Sequence, residues 1–231
     1  MLIANNHIRR HYQHIKLKVG GIVLQEKEKI KILGVTISNN LSWEAHTSNL
    51  IRNVKYCYRS FSRSCKYLTM DSRKLLYNAS IASRLNYCDM IWDGCSVDIK
   101  NKLQTIQNRC ARRILNKPPG TSAAPLLHEL GWLKLDQKRL LHRCVFMHKL
   151  LIGNGPNALI ERLHPYKNKT NKVTRGNTNN NFMLPYHRTN YIAKSFIYDT
   201  AKCYNEIPHN LKELKSSNSF KERLHKHLLN A

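Results

Sequence analysis

The hydrophobic pattern before residue 40 is that of β-strands. From Ile15 to Val19, apolar residues alternate with lysines, and a glycine pair then separates them from a second short apolar run. A longer run, over 30–38, is rich in β-branched residues and ends at two asparagines. Alternation and β-branching are typical of strands. The pattern therefore predicts a small antiparallel sheet at the amino-terminal end.

After Ser42, a residue type that commonly caps helix N-termini, the hydrophobic period changes to about 3.6 residues. Helices are predicted from Ser42, from Asp71 or Ser72, over 97–115, 125–130, 136–152 and 192–204, and finally from a cap at Ser219. The apolar stripes of the first three helices give the predicted buried residues: Leu50, Val54, Cys57, Tyr58, Phe61, Cys65 and Leu68, then Leu75, Leu76, Ala79, Ala82 and Leu85, then Ile99, Leu103, Ile106, Cys110 and Ile114.

One segment has no such period. Residues 165–185 are rich in Asn and Lys and contain almost no apolar residue before Phe182, which is typical of a functional loop or a linker. We therefore expect four parts: a β-hairpin region over 1–40, a helical body over 41–164, a basic polar loop over 165–190 and a helical appendage over 191–231. The predicted fold class is mainly α, a helical bundle with a small N-terminal antiparallel β-sheet and a C-terminal helical appendage.

Charge changes the functional picture. The chain has 39 Lys and Arg against 14 Asp and Glu, a formal net charge of +25 on 231 residues. Every segment is basic, and the largest excess lies between 101 and 150. Neutralising phosphates supplies most nonspecific nucleic-acid affinity. We expect RNA or DNA as the partner, bound as a duplex without sequence specificity. Without a stretch of membrane-spanning length or the apolar core of a signal peptide, we expect no membrane contact and a nuclear or cytoplasmic location, not secretion.

Catalytic and metal-binding patterns are weak. The seven cysteines include no Cys-x-x-Cys pair and are expected to be reduced. Cys144 and His148 share a helix face, and there the ordinary interpretation is a small core cysteine. Asp89 and Asp93 lie near Trp92, and carboxylates at that spacing are commonly solvated or ion-paired. Spacing alone identifies no catalytic residue, metal site or cofactor.

The third helix offers a candidate binding face. Its cations recur opposite the apolar stripe, where they are suited to phosphate contacts; a merely solvated face is the alternative interpretation. Five tyrosines lie among basic residues and are candidates for stacking on bases, although packing in or near the core is the expected role of most. The predicted nucleic-acid-binding residues are Lys102, Arg109, Arg112, Arg113 and Lys117, and the tyrosines are Tyr56, Tyr58, Tyr67, Tyr77 and Tyr87.

The order of several short motifs resembles the region after the catalytic palm in reverse transcriptases of jockey-type non-long-terminal-repeat retrotransposons. The resemblance covers nearly the whole chain. The motifs run from Lys31 to His46, from Ser83 to Tyr87 with Trp92, and from Leu103 to Ile114, followed by Arg175, Lys194 to Phe196, Tyr204 to Pro208 and Ser219 to Lys221.

This resemblance implies a thumb-like and connection region of an RNA-directed DNA polymerase. The family's catalytic magnesium is held by palm aspartates that lie upstream of the matching region, so the resemblance implies a noncatalytic fragment with no cofactor of its own. It also implies that Lys31, Leu33 and Gly34 correspond to the primer grip, and that the missing palm or a host protein is a further partner. A domesticated protein-interaction module and an unselected transposon relic are the alternatives; exposed apolar surface on the sheet would be the mark of the relic.

Overall fold

The computed structural model describes residues 1, 3, 17–153, 155–161, 181–184, 186 and 195–230. Within these residues the chain is mainly α-helical, with a small antiparallel β-region on the N-terminal side and a C-terminal helix, which confirms the predicted fold class. The strand prediction at 15–16, most of the predicted basic loop, Arg175 and the start of the helix predicted over 192–204 lie outside the described residues.

The β-region consists of two separate hairpins instead of one sheet. Strand β1 (Lys18–Val19) pairs with β2 (Ile22–Val23), and β3 (Lys29–Ile32) pairs with β4 (Val35–Ser38). The run over 30–38 is therefore two strands, divided at Leu33 and Gly34, whose φ angles are +45° and +83°. Positive φ at both central residues is the signature of a type I′ turn, whose twist matches that of a hairpin.

The apolar side chains of the first hairpin are exposed to solvent. Each of its strands is only two residues long, and all four strand residues are exposed. The exposed apolar residues in and beside this hairpin are Leu17, Val19, Ile22, Val23 and Leu24.

The chain divides into two compact units, residues 1–88 with 95–106 and residues 89–94 with 107–231. In the first, helix α1 (Glu44–Ser64) is followed by a 3₁₀ turn (Cys65–Tyr67), and α2 (Met70–Tyr77) continues through a π-helical turn (Asn78–Ala82) into α3 (Ser83–Asn86). The side chains predicted to face inward from the first helix are all buried or half-buried. Phe61 meets Tyr77 edge-on, with ring centroids 6.4 Å apart.

The inward face predicted for the second helix is partly wrong. Leu75 and Ala79 are exposed, whereas Tyr77 and Ile81 are buried. The π-helical turn over 78–82 explains the change, because its extra residue shifts the inward-facing positions before it relative to those after it, and Ala82 and Leu85 are buried as predicted. The third helix, α5 (Val97–Ile114), has no such turn, and its predicted apolar stripe is buried or half-buried throughout.

The second unit is built around a long helix. Helix α7 (Leu135–Leu151) packs against α9 (Phe196–Asn205) and α11 (Ser217–Leu229). Among the described residues it also contains the part of α5 from residue 107 onward and four shorter helices: α4 (Asp89–Trp92), α6 (Ala123–Glu129), α8 (Asn157–Ile160) and α10 (His209–Lys212). Side chains that are almost completely buried in this core include Cys144, Met147, Tyr204, Phe220 and Leu224.

Two local hydrogen-bond arrangements refine the prediction. The last helix is capped by Ser216, whose hydroxyl accepts from the Ser219 backbone N–H, so the predicted cap at Ser219 is wrong. The Asn205 carboxamide bonds both backbone groups of Phe182, accepting from its N–H at 2.8 Å and donating to its carbonyl at 2.9 Å. The Tyr204–Pro208 motif thus ties residue 182 to the core of the second unit.

No helix among the described residues is both long and apolar enough to cross a membrane.

Candidate nucleic-acid interface

The predicted cationic face on α5 is only partly available for binding. Lys102 belongs to the first unit and is ion-paired with Asp98 at 2.5 Å. Arg112 belongs to the second unit, is half-buried, and donates from Nε to the Thr121 carbonyl at 2.7 Å. Arg109, Arg113 and Lys117 are exposed. Lys102 and Arg112 are therefore engaged in bonds within the protein, and the binding role of the set stays a prediction.

The residues matched to a primer grip lie on β3 and at the turn between β3 and β4. Lys31 is exposed, and Leu33 is 84% exposed at the tip of the turn. The Leu33 carbonyl accepts a hydrogen bond from the Tyr87 hydroxyl at 2.6 Å. A Cβ on Gly34 would lie 3.4 Å from the Tyr87 ring. This hairpin is therefore fastened at its turn to the end of α3.

A groove of about 770 Å³ opens beside this hairpin, between it and the helices α1 to α3. Its cations are Lys31, Arg52 and Arg84, and no Asp or Glu lines it within the described chain. The other polar lining residues carry hydroxyl, amide, imidazole or phenol groups: Thr36, His46, Asn49, Asn53, Ser83 and Tyr87. A cationic groove without carboxylates, surrounded by neutral hydrogen-bonding groups, suits phosphate and sugar.

His46 adds no positive charge to the groove at neutral pH. Its Nδ1 accepts a hydrogen bond from the Thr36 backbone N–H at 3.4 Å, which requires an unprotonated nitrogen. Burial lowers the pKa of His46 below its ordinary value of 6.5. The imidazole therefore fixes β4 against α1, while the neighbouring Lys and Arg residues supply the charge.

The groove continues into a row of cations on α1. Arg52, Lys55, Arg59 and Arg63 recur every three or four residues, and Lys66 follows in the 3₁₀ turn; we call these five the basic stripe. Such intervals keep side chains on one side of a helix, here over about 16 Å from the first to the fourth. All five are exposed. In the described part of the chain, none forms an ion pair with a carboxylate.

The sequence prediction missed the basic stripe. The predicted face lies within 101–150, where the excess of cations over carboxylates is largest, whereas the stripe is marked by the spacing of its cations. A search for positive charges at helical intervals, free of acidic residues at the same spacing, identifies the stripe in the sequence. Charge excess alone does not, because part of it in α5 is used in intramolecular contacts.

The tyrosines differ in their surroundings. Tyr77 is buried and Tyr58 half-buried, as the packing interpretation expects, but Tyr56, Tyr67 and Tyr87 are between 51% and 77% exposed. That interpretation is therefore wrong for three of the five. The Lys66 ammonium lies 4.7 Å from the centre of the Tyr67 ring, a cation–π contact at the end of the basic stripe.

Asp89 and Asp93 are buried, Asp89 hydrogen-bonded to a histidine and Asp93 ion-paired, so the solvated alternative is wrong. Asp89 Oδ2 lies 2.7 Å from His142 Nδ1, and Asp93 pairs with Arg139 at 3.3 Å and with Arg143 at 2.9 Å. The Arg143 guanidinium also pairs with Asp199. The two carboxylates are thus bonded to side chains of α7, and this network belongs to the packing of the second unit.

Cys144 is a core residue, as its place on an apolar stripe predicts. Its exposure is 0%, and burial raises the pKa of its thiol to about 12. His148 lies one turn further along α7 and stacks on Phe220, with ring centroids 4.2 Å apart. The seven cysteines are free thiols. Among the described residues, no three His, Cys, Asp or Glu side chains are grouped so that they could hold a metal ion.

Comparisons of the chain with protein-family models, with curated proteins and with solved structures found no match. The resemblance to reverse transcriptases of retrotransposons therefore stays a prediction from the sequence motifs.

Proposed function

We propose that the chain binds the sugar–phosphate backbone of a nucleic-acid duplex through the basic stripe and the adjoining groove of the first unit. In this proposal the protein is a noncatalytic, thumb-like part of a retrotransposon RNA-directed DNA polymerase that grips a template–primer duplex. The observation that carries the binding proposal is the basic stripe, a row of five exposed cations without a carboxylate partner in the described chain. Arg52 belongs both to the stripe and to the groove, and the groove contains two further cations.

Sequence-independent binding follows from the kind of contact. Lys and Arg side chains that reach phosphates position a protein on a duplex but do not distinguish bases. Double-stranded RNA-type helices are recognised mostly by shape and backbone contacts, since their major groove is too narrow for side chains. An exposed α-helix whose cations follow one line suits such a backbone.

The salt dependence of binding tests this proposal. We expect the combined variant Arg52→Gln, Lys55→Gln, Arg59→Gln and Arg63→Gln to bind a short RNA–DNA hybrid more weakly. The slope of log K against log salt should become shallower by about 3 to 4, since each lost phosphate contact removes about 0.9. Fluorescence anisotropy titrations at several NaCl concentrations measure it.

A matched control keeps the same change in net charge. Lys149, Lys202, Lys215 and Lys226 are exposed residues of the second unit, and changing all four to Gln should leave most of the slope unchanged. Equal effects of the two variants would show that net charge alone drives binding. The variant Arg109→Gln, Arg113→Gln and Lys117→Gln tests the face of α5 in the same titration.

The exposed apolar hairpin β1–β2 is the mark expected of an unselected relic, and it also favours a second candidate function. Apolar side chains in a cluster at the surface commonly mark a protein interaction site. Here the chain would be an interaction module whose charge serves solubility. The same titration separates the two functions, since the module should not bind the hybrid at moderate salt but should retain a protein partner in a pulldown.

A further inference from the structure

The Tyr87 ring is held in a fixed position beside the cationic groove. Tyr87 follows α3 with extended backbone angles, φ −69° and ψ 116°. Its side chain therefore leaves the helix and reaches the β3–β4 turn. The hydroxyl is bonded to the Leu33 carbonyl at 2.6 Å, and the ring edge lies close to Gly34. Since the ring is already oriented, the Tyr87 side chain loses little additional conformational entropy when a ligand stacks on it.

The absence of a side chain at residue 34 is part of this arrangement. A Cβ there would lie 3.4 Å from Tyr87 Cε1, and the +83° φ angle of Gly34 strains any larger residue. The ring can therefore approach the turn closely at one edge. Even so, Tyr87 is 51% exposed, and it lines the groove together with Lys31 and Arg84.

A ring next to cations is the combination that binds unpaired nucleotides. Single-stranded nucleic acids are commonly held by a positive groove along the backbone and by aromatic side chains on which bases stack. A base inside a duplex has both faces covered by its neighbours, so only an unpaired or terminal base can use the ring. The groove volume of about 770 Å³ lies within the range of small-ligand sites.

We propose that this groove takes an unpaired nucleotide, of RNA or of DNA, that extends from the duplex bound on the basic stripe. Its base stacks on the Tyr87 ring. Its phosphates contact Lys31, Arg52 and Arg84, which retain donors for them, because a guanidinium has five N–H groups and an ammonium three. This inference rests on the proposed function, and it names the ligand of the groove as a junction between duplex and single strand.

The test compares the affinity for a blunt RNA–DNA hybrid with the affinity for the same hybrid carrying a few unpaired nucleotides. Separate hybrids carry the overhang on the RNA strand or on the DNA strand, and at one end or the other. 2-Aminopurine occupies the first unpaired position. We expect at least one overhang hybrid to bind about fivefold or more tightly than the blunt one. We also expect its 2-aminopurine fluorescence to be quenched on binding.

Variants of the ring assign the effect. Tyr87→Leu should abolish the overhang preference, measured as the ratio of the affinities for overhang and blunt hybrid, together with the quenching. Tyr87→Phe keeps the ring and should keep the quenching. The control is Tyr186→Leu, at a residue of the second unit that is 88% exposed, and it should behave as wild type.

Equal affinities for blunt and overhang hybrids, with unchanged fluorescence in the wild-type protein, would overturn the inference whatever the folding of the variants. That result differs from failure of the proposed function, which would appear as blunt-hybrid binding that is absent or insensitive to the stripe variant. Quenching that persists in Tyr87→Leu with native circular dichroism would also overturn it.

Discussion

His148 is a buried imidazole that lowers stability in acid. It is 2% exposed on α7, and its Nε2 atom has no hydrogen-bond partner among the described residues. Burial lowers its pKa below the ordinary value of 6.5. Below about pH 6.5 the unfolded chain therefore binds a proton more readily than the folded one. Linkage then requires the free energy of unfolding to fall as the pH falls, until the folded pKa is also passed.

We expect His148→Phe to flatten this dependence. Phe has a ring that can still stack on Phe220, and it has no nitrogen to protonate. Urea unfolding between pH 7.5 and pH 5 should show a smaller loss of stability than in the wild type. His227→Gln, at an exposed position of the same unit, should leave the profile unchanged. An unaltered profile in His148→Phe would show that other groups cause the loss of stability in acid. His46 and His225 would then be the next candidates, because burial lowers their pKa values as well.

At the scale of elements, Asp93 joins the end of α4 to α7. It is 6% exposed and pairs with two guanidinium groups. One of these, Arg139, is 2% exposed and lies 4.7 Å from the centre of the Trp92 ring. The other, Arg143, also pairs with Asp199 of α9. One carboxylate therefore compensates buried charge where three helices meet.

We expect Asp93→Asn to destabilise the protein by about 3 kcal/mol, because it removes the buried carboxylate and leaves Arg139 and Arg143 only the more exposed Asp136 and Asp199 as partners. Asp71→Asn is the matched control. Asp71 pairs with Lys74 at 3.8 Å, but its side chain is 91% exposed, so its loss should cost at most about 1 kcal/mol. Urea unfolding at neutral pH measures both. Equal small losses would mean that solvent reaches the Asp93 network.

The elements also show which features periodicity predicts. Helices such as α5 and α7 were predicted to within two residues, because their apolar residues keep one period over several turns. The buried face of α2 was not, since a π-helical turn is invisible to a search for one period. The partners of Asp89 and Asp93 are 53 and 46 residues away in sequence. Such pairs depend on tertiary packing, which no local pattern encodes.

The candidate site shows a similar division. The resemblance singles out the β3–β4 turn, and the structure places Lys31 and Gly34 on the wall of a cationic groove. The contribution of Tyr87 depends on a contact with the Leu33 carbonyl across 54 residues of sequence. The basic stripe, by contrast, was readable from its spacing. What the sequence leaves open is which cations are already paired within the fold.

For the whole molecule, binding and stability make opposite demands on charge. A net charge of +25 favours association with polyanions, yet it destabilises the compact state by self-repulsion. Internal pairing relieves this only in places: Asp93 and Asp199 compensate cations of α7. Along the basic stripe no carboxylate does so in the described residues. Repulsion between the cations of the stripe should therefore lower the stability of the free protein.

The same four substitutions that weaken nucleic-acid binding should therefore stabilise the free protein. Arg52, Lys55, Arg59 and Arg63 changed to Gln keep similar helix propensity and remove four repelling charges, so we expect a gain of about 0.5–2 kcal/mol. Urea unfolding at low and high NaCl should show the gain mainly at low salt, because salt screens the repulsion in the wild type.

Changing the three arginines to Lys preserves the charge and should give no gain. A loss of stability in the Gln variant would mean instead that these side chains stabilise the fold, for example through their aliphatic stems. In that case the side chains of the stripe would have a structural role in α1.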